Sequence, residues 1–537
     1  MVGSSDVVAT FGVSRFRRML VVRLCGLLAV VMLLPCAWAA SGDTFLYVDP
    51  TDPDPATFAT IQDAIDAAPH PGHTVIEVAA GTYYENLWWD YKDIELIGAG
   101  AGLTIVNADV DGDGVPGPGR CLFMRWVPDT AMVEGFTFTG GHASVPQPRG
   151  GGVFLWLSSP TLSSNIITDN WADGHGGGVH VDIGSAPTLI GNTITRNTAD
   201  SWGGGVNVFT SAPTFINNTI SDNSALRGGG LSLWKTAATL TGNTITDNWG
   251  GLGGGVYIQW IDKLGDPSPT LTNNLIARNV ATSHGGGVWV HRSSPILTNN
   301  TIVDNEGGGF YHSQFDPQNP VITNCILFRN TVYDVVGEPC TVTYCDIGTV
   351  QPGTVVLDGT GNISADPMFV GGGDYHPQDG SPCVDAGTNA APELPLTDKD
   401  GNPRIFCGVV DMGAYEWQGP SVITVQIDIK PGSYPNAINN DGHGVIPVAV
   451  LGSADFEVSL ILVHTVTLEG MSIKVVGKAS KMLYHYEDVN GDGFDDLVMQ
   501  IQDMDGAFEP GTVTATLTGE LLCGTPIVGQ DTIVIVP

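Results

Sequence analysis

From residue 150 to residue 330 the chain repeats one arrangement of apolar and polar positions. A Gly-Gly-Gly run leads into a short stretch of alternating apolar residues. A phrase of the type Ser-x-Pro-Thr-Leu follows, and then Asn-x-Ile-x-x-Asn. The glycine runs begin at Gly150, Gly176, Gly203, Gly228, Gly253, Gly285 and Gly307. The first asparagines are Asn165, Asn192, Asn218, Asn243, Asn274, Asn300 and Asn324, and the second are Asn170, Asn197, Asn223, Asn248, Asn279, Asn305 and Asn330. Such a repeat is one backbone unit used again and again, stacked on its neighbours as a solenoid. After each glycine run Val153 and Leu155, Val179 and Val181, Val206 and Val208, Leu231 and Leu233, Val256 and Ile258, and Val288 and Val290 share one parity and are expected to point inward. A second strand is expected through Ile167, Ile194, Ile220, Ile245, Ile276, Ile302 and Ile326. With strands stacked about 4.8 Å apart, equivalent residues form ladders, and stacked asparagines can bridge coil to coil through their amides.

Before the repeats, Ile61, Ala64, Ile65 and Ala68 have helical spacing, which predicts one short helix. Strands are expected at 74–78, 94–97 and 103–106, and the helix would cover the open end of the solenoid. The opening phrases FATIQDAIDAAPHPGHTVIEVAAGTYYEN and KDIELIGAGAGLTIVNA resemble the start of right-handed parallel β-helix proteins, including pectinesterases and pectate-lyase-like families. The pairing of GGG[VL] with [LF]xxN resembles the repeats of polymorphic outer-membrane proteins, a surface and adhesin-like family. Together these resemblances imply an all-β chain with a right-handed parallel β-helix over 43–345. The phrases ADPMFVGGGDYHPQDGSPCVDAGTN and VDMGAYEW resemble the closing segment of exported bacterial β-helix proteins, so 346–418 is expected to form the C-terminal cap. After Gly419-Pro420, short alternating strands over 421–537 predict a small β-sandwich module of about seven strands.

Composition narrows the classes of function. Acidic residues number 56 against 21 basic ones, for a net charge of −35, so nucleic acid is excluded as a partner for want of a basic patch. Arg15, Arg17, Arg18 and Arg23 precede an apolar run from Leu24 to Leu34 and an Ala37-Trp38-Ala39 phrase, which predicts a signal peptide over 1–39. No second hydrophobic span follows, so the expected product is exported and not integral to a membrane. Seven cysteines lie beyond residue 39 without a zinc-like pairing, and those from Cys325 to Cys407 are placed to close the end of the solenoid, in a pairing left open.

Chemistry is expected where the repeats disagree. The outward positions beside the inward valines form two columns. One runs Phe154, His180, Asn207, Ser232, Tyr257, Trp289, Tyr311; the other runs Trp156, Asp182, Phe209, Trp234, Gln259, His291, Ser313. Solvent-facing aromatics mixed with hydrogen-bonding groups suit sugar rings, and Phe154, Trp156, Phe209, Trp234, Tyr257, Trp289, His291 and Tyr311 are the candidate ligand-binding residues. The bland alternative is a loop lying over them. The candidates for acid–base chemistry are His175, His180 and Asp182, together with the neighbouring carboxylates Asp222 and Asp247. The latter belong to a column of mostly alternating charge: Asp169, Arg196, Asp222, Asp247, Arg278, Asp304, Arg329. The sharpest local motif is DVNGDGFDD, in which Asp488, Asn490, Asp492, the Phe494 carbonyl and Asp496 are candidate ligands of a structural calcium ion. The loop resembles the short calcium loops of FG-GAP and dockerin-type repeats and departs from an EF-hand at Met499. A second acidic stretch, Asp109, Asp111 and Asp113, lacks the ninth-position acid. The favoured reading is a secreted or cell-surface binder of polysaccharide or another surface ligand, without catalysis. The alternatives are a polysaccharide lyase or glycosidase using the same face, and a purely structural adhesin-like protein.

Overall fold

A computed structural model describes residues 43–537, apart from 53, 111–116, 260–267, 314–318, 355, 407, 420–421, 440–442, 455, 478–479, 509–512, 523 and 537. The expected signal peptide, Asp111, Asp113, Cys407 and Cys523 lie outside the described residues.

The repeats wind into a parallel β-helix. Each full coil contributes to four stacked sheets. The leucine sheet carries Leu162, Leu189, Phe215, Leu240, Leu271 and Leu297 inward and has twelve strands among the described residues. The isoleucine sheet follows, with eleven strands and Ile167, Ile194, Ile220, Ile245, Ile276 and Ile302 inward. Next comes a short spur sheet of seven strands, including Thr198–Trp202 and Ser224–Arg227, and then a ten-stranded glycine-led sheet after each glycine run. The expected inward valines and leucines are all buried in one continuous core. The helix forms at Ile61–Ala67, with the Thr60 side chain accepting from the Asp63 amide, and it packs on the first coil.

Two asparagine ladders hold the coils in register. Asn218 is typical: its Nδ2 donates to Asn243 Oδ1 at 3.0 Å and to the Leu189 carbonyl at 2.8 Å, while its Oδ1 accepts from Asn192 N and Nδ2. The second ladder runs from Asn170 to Asn330 and ends on Asp334 Oδ1. The first departs from expectation at its last repeat. Cys325 occupies the ladder position, accepting from Asn300 N, and Cys345 Sγ accepts in turn from Cys325 N. Asn324 falls in the left-handed corner before it, and Leu327, not Ile326, faces the core. The expectation was one residue early there, because asparagine fits both the corner and the ladder. Cys121, Cys325, Cys340, Cys345 and Cys383 are all unpaired and buried.

The closing segment does not sit only over the end. Val350, Val356 and Ile363 bridge to the last coil, while the described residues between 366 and 417 run back along the flank of the isoleucine sheet. Asn299 Nδ2 donates to the Asp411 carbonyl, Ala414 N donates to Thr301 Oγ1, and Lys399 Nζ reaches the Gly242 carbonyl. Phe369, Tyr375, Met412, Ala414 and Tyr415 share a core with Leu275, Ala277, Val303 and Ile326. Residues 423–536 form a separate module. A four-stranded sheet containing Val445–Val450 and Asp496–Gln502 shares one core with a five-stranded sheet containing Thr514–Glu520 and Pro526–Thr532.

Replacing Asn218 with alanine strands the Asn192 backbone amide and the Leu189 carbonyl and leaves Asn243 Oδ1 with the residue-218 backbone N–H alone. A loss of roughly 3 kcal/mol is expected in urea unfolding, against little change for the outward Thr219→Ala. Equal effects from the two substitutions would show that the ladder contributes no more than surface threonines.

Candidate functional site

The outward face of the glycine-led sheet is built differently from what alternation alone predicts. After the second asparagine of each coil, the chain leaves the wall as a spur. Its inner residues are small: Ala143, Ala172, Ala199, Ala225, Gly250 and Ala281 align in register. The spur then turns back at the first glycine, which lies directly over the outward side chain four residues later. A Cβ on Gly176 would stand 2.9 Å from His180 Cβ, and one on Gly150 2.8 Å from Phe154 Cβ. Both glycines also have left-handed backbones, at φ +69 and +66. The triple glycine is therefore the clearance that lets the spur fold down onto the sheet.

This corrects the solvent-facing expectation for the first column. Phe154, His180, Asn207, Ser232, Tyr257 and Trp289 are buried, and only Tyr311 is half-exposed. Their rings pack on one another and on the spur residues. Tyr257 and Trp289 stack at 4.5 Å with 3° between planes, and His284 stacks on Tyr311 at 4.6 Å. Burial raises the Tyr257 phenol to about 12. The second column stays half-exposed at Trp156, Phe209, Trp234 and His291.

His175, His180 and Asp182 do come together, but His175 belongs to a spur and His180 and Asp182 are buried beneath it. His180 Nδ1 is 3.0 Å from Asn207 Nδ2, and its Nε2 is 3.8 Å from Asp182 Oδ2, beyond hydrogen-bond reach. Asp182 Oδ2 accepts from Arg149 at 2.9 Å. Burial opposes ionisation of Asp182, yet His180 and Arg149 hold its carboxyl below the ordinary range. Burial, with His180 and Arg149 nearby, pushes His175 down to about 4, and burial lowers His180 as well. A covered imidazole at His180, a half-exposed His175 of lowered proton affinity and an ion-paired carboxylate are poorly placed to exchange protons with a substrate.

Asp222 and Asp247 do not form a carboxylate dyad. Asp247 is held by both nitrogens of a fork from Arg278, at 2.9 and 2.7 Å, and Asp222 accepts from Thr195 Oγ1. Asp169–Arg196 and Asp304–Arg329 pair in the same way. The column is an ion ladder on the surface, each exposed pair adding about 0–1 kcal/mol.

The patch that sequence alternation missed lies at the first coils. Trp88, Tyr91 and Trp126 are 52, 48 and 37% exposed. Tyr91 and Trp126 occupy left-handed corners at φ 58 and 54 and stack on each other at 4.6 Å, with Trp156 following 6.1 Å from Trp126. The Arg125 guanidinium lies 4.4 Å from the Trp126 ring centre and pairs with Asp90. The only sequence signal was the pair of aromatics immediately after strands Leu87–Asp90 and Leu122–Arg125, outside the glycine repeats.

In the C-terminal module, Asp488 accepts from the amides of Gly491, Asp492 and Gly493, and Asp492 accepts from Phe494 N. Asp496 is fully buried and latched by the Gly452 and Val489 amides. The loop is thus closed by its own amides and is not a preassembled cage. Among the described residues no three His, Cys, Asp or Glu side chains converge as a metal site, and no helix is long and apolar enough to cross a membrane.

Residues 129–263 and 261–365 match the family described as right-handed β-helix region, which with the stacked parallel sheets makes this a right-handed parallel β-helix. A stretch of 110 residues is 34% identical to the probable pectinesterase/pectinesterase inhibitor 17 of Arabidopsis thaliana. It covers 19% of this chain and 22% of that protein, so the chain spans about a fifth of that relative's length.

The folded state disfavours protonated His175, so the unfolded chain binds more protons between about pH 4 and 6.5. The stability this group contributes is complete above that window and is lost as pH falls through it. Melting curves across pH 4 to 7 should accordingly show a shallower acid-side fall for His175→Gln than for the parent, whereas parallel profiles would contradict burial of the neutral ring.

Proposed function

We propose that this is an exported, extracellular or cell-surface β-helix protein that binds polysaccharide without turning it over. The observation that carries the reading is the exposed aromatic shelf of Trp88, Tyr91, Trp126 and Trp156 beside the Asp90–Arg125 pair. Contiguous exposed apolar area of this kind marks an interaction surface. Ring faces and edges suit the C–H faces of a pyranose, while the neighbouring carboxylate and guanidinium suit its hydroxyls. Burial of His180 and Asp182 favours binding over acid–base turnover. The β-helix family match and the pectinesterase-like stretch agree with a carbohydrate ligand.

Retention of the full chain on an immobilised polysaccharide panel tests this. Trp126→Ala combined with Trp156→Ala is expected to reduce retention at least tenfold with melting little changed, and undiminished retention would remove the shelf from the reading. No reducing ends or unsaturated products are expected. Turnover that disappears in His180→Ala or Asp182→Ala would replace binding by catalysis.

We also propose a structural calcium ion at the loop from Asp488 to Asp496. The support is the spacing of Asp488, Asn490 and Asp492 on an exposed turn, with Gly491 and Gly493 at φ 76 and 92. A bound ion would have to draw the Asn490 and Asp492 oxygens toward Asp488. Chelator should lower the melting temperature of the full chain, calcium should restore it, and Asp488→Ala should abolish the difference. A chelator-indifferent curve dismisses the ion.

A further inference from the structure

Along the buried outward column of the glycine-led sheet, side-chain size changes abruptly. Phe123, Phe154 and His180 are large; Asn207 and Ser232 are small; Tyr257 and Trp289 are large again. The small pair is roofed by spur residue Trp202, which lies 4.1 Å from the Trp234 ring, and Arg227 lies over Trp202. At this place five buried polar atoms have no hydrogen-bond partner: His175 Nδ1, His180 Nε2, Asn207 Oδ1, Ser232 Oγ and Trp234 Nε1. His180, Asn207 and Ser232 are themselves more than nine-tenths buried. Because Asn207 Nδ2 donates to His180 Nδ1, the His180 proton sits on Nε2, so donors and acceptors are mixed within the cluster.

An unpartnered buried polar atom costs about 1–3 kcal/mol; others occur along the solenoid at Thr74, Trp89, Arg120, His312 and Asn319, but only here do five gather around adjacent coils. The positions are two outward residues per strand, about 6.6 Å apart, over three coils about 4.8 Å apart. That array has the dimensions of one or two sugar rings. Its walls are aromatic at Trp202, Trp234 and Phe209, its floor offers neutral donors and acceptors, and the nearest carboxylate, Asp182, is already paired with Arg149.

We propose that this cluster becomes a subsite for an uncharged hexose unit when the Trp202 side chain lifts away from Trp234, and that the sugar hydroxyls then partner Asn207, Ser232, His180 and the Trp234 indole. The subsite rests on the polysaccharide reading and specifies it: neutral glycans are preferred over uronic acids. Lowered proton affinity of His175 and His180 agrees, and the nearby guanidiniums are engaged, Arg149 by Asp182 and Arg227 over the Trp202 ring.

The test is tryptophan fluorescence titration of the full chain with a neutral β-1,4-glucan tetrasaccharide and with a galacturonate tetrasaccharide. Neutral tetrasaccharide is expected to bind and to change the emission. Ser232→Ala, which removes a hydroxyl with little change of shape and should leave melting unchanged or slightly raised, and Trp234→Phe, which removes the N–H along with one ring of the Trp202 and Phe209 contacts, should each weaken it at least tenfold. Binding of neutral sugar that survives both substitutions overturns the subsite but leaves the aromatic shelf standing, and in that case the cluster holds buried water only. Preference for the galacturonate overturns the subsite alone. Absence of binding by either sugar, together with no retention on the polysaccharide panel, overturns the polysaccharide reading itself.

Discussion

Everything in the solenoid depends on coils stacking in register through hydrogen bonds along the axis. The backbone supplies most of them, but the corners break the ladder, and there the asparagines take over. Each side-chain oxygen receives the backbone and amide N–H groups of the preceding coil, while its amide reaches a carbonyl of that coil and the next asparagine. A register slip would strand all of these groups at once, so the inward leucines and isoleucines have one alignment only. Where the asparagine gives way to Cys325 and Cys345, thiols accept the same amides less strongly, and this is also where the coils shorten toward the end of the helix.

With register imposed, the wall is predictable, and the individuality of the protein is displaced to what folds over it. The spurs cover one flank and residues 366–417 cover another. Both coverings leave marks on the sheets beneath. Under the spurs, the three glycines and the alanine column clear a path for backbone. Under the closing segment, the outward isoleucine-sheet positions change from Thr193, Thr219 and Thr244 to Leu275 and Ile326, with Thr301 between them accepting from Ala414 N, and from Thr195, Ser221 and Thr246 to Ala277 and Val303. Exposed apolar side chains also occur elsewhere on the coils, as at Ile190, Leu226 and Trp249, but at the first coils Tyr91 and Trp126 stack on each other beside exposed Trp88, and this grouping is why the first coils draw attention as a binding surface.

The parts legible beforehand were those governed by periodicity: the inward Val, Leu and Ile ladders, the asparagine ladders, the short capping helix and some of the strands of the C-terminal module, where about seven were expected and the two main sheets hold nine among the described residues. The missteps share a cause. Asn324 and Ile326 were read into the ladder and the core because neighbouring residues satisfied the same pattern, and only the pairing of Ile302 with Leu327 resolves them. Asp222 and Asp247 are adjacent as expected, but Arg278, one coil further on, takes Asp247 away. Phe154 and Trp289 face outward as alternation requires, yet outward is not exposed once a spur returns over them.

Local sequence therefore determined the coil by itself. Period-two alternation, glycine at left-handed positions and asparagine at corners each act within a residue or two of their own place in the chain, so each could be read without a structure. Only the tertiary structure decided which outward residues meet water. Covering is done by segments from the next turn of the solenoid or from over a hundred residues away, as Asn299 and Asp411 demonstrate, and no periodicity in the covered strand encodes the arrival of a distant chain.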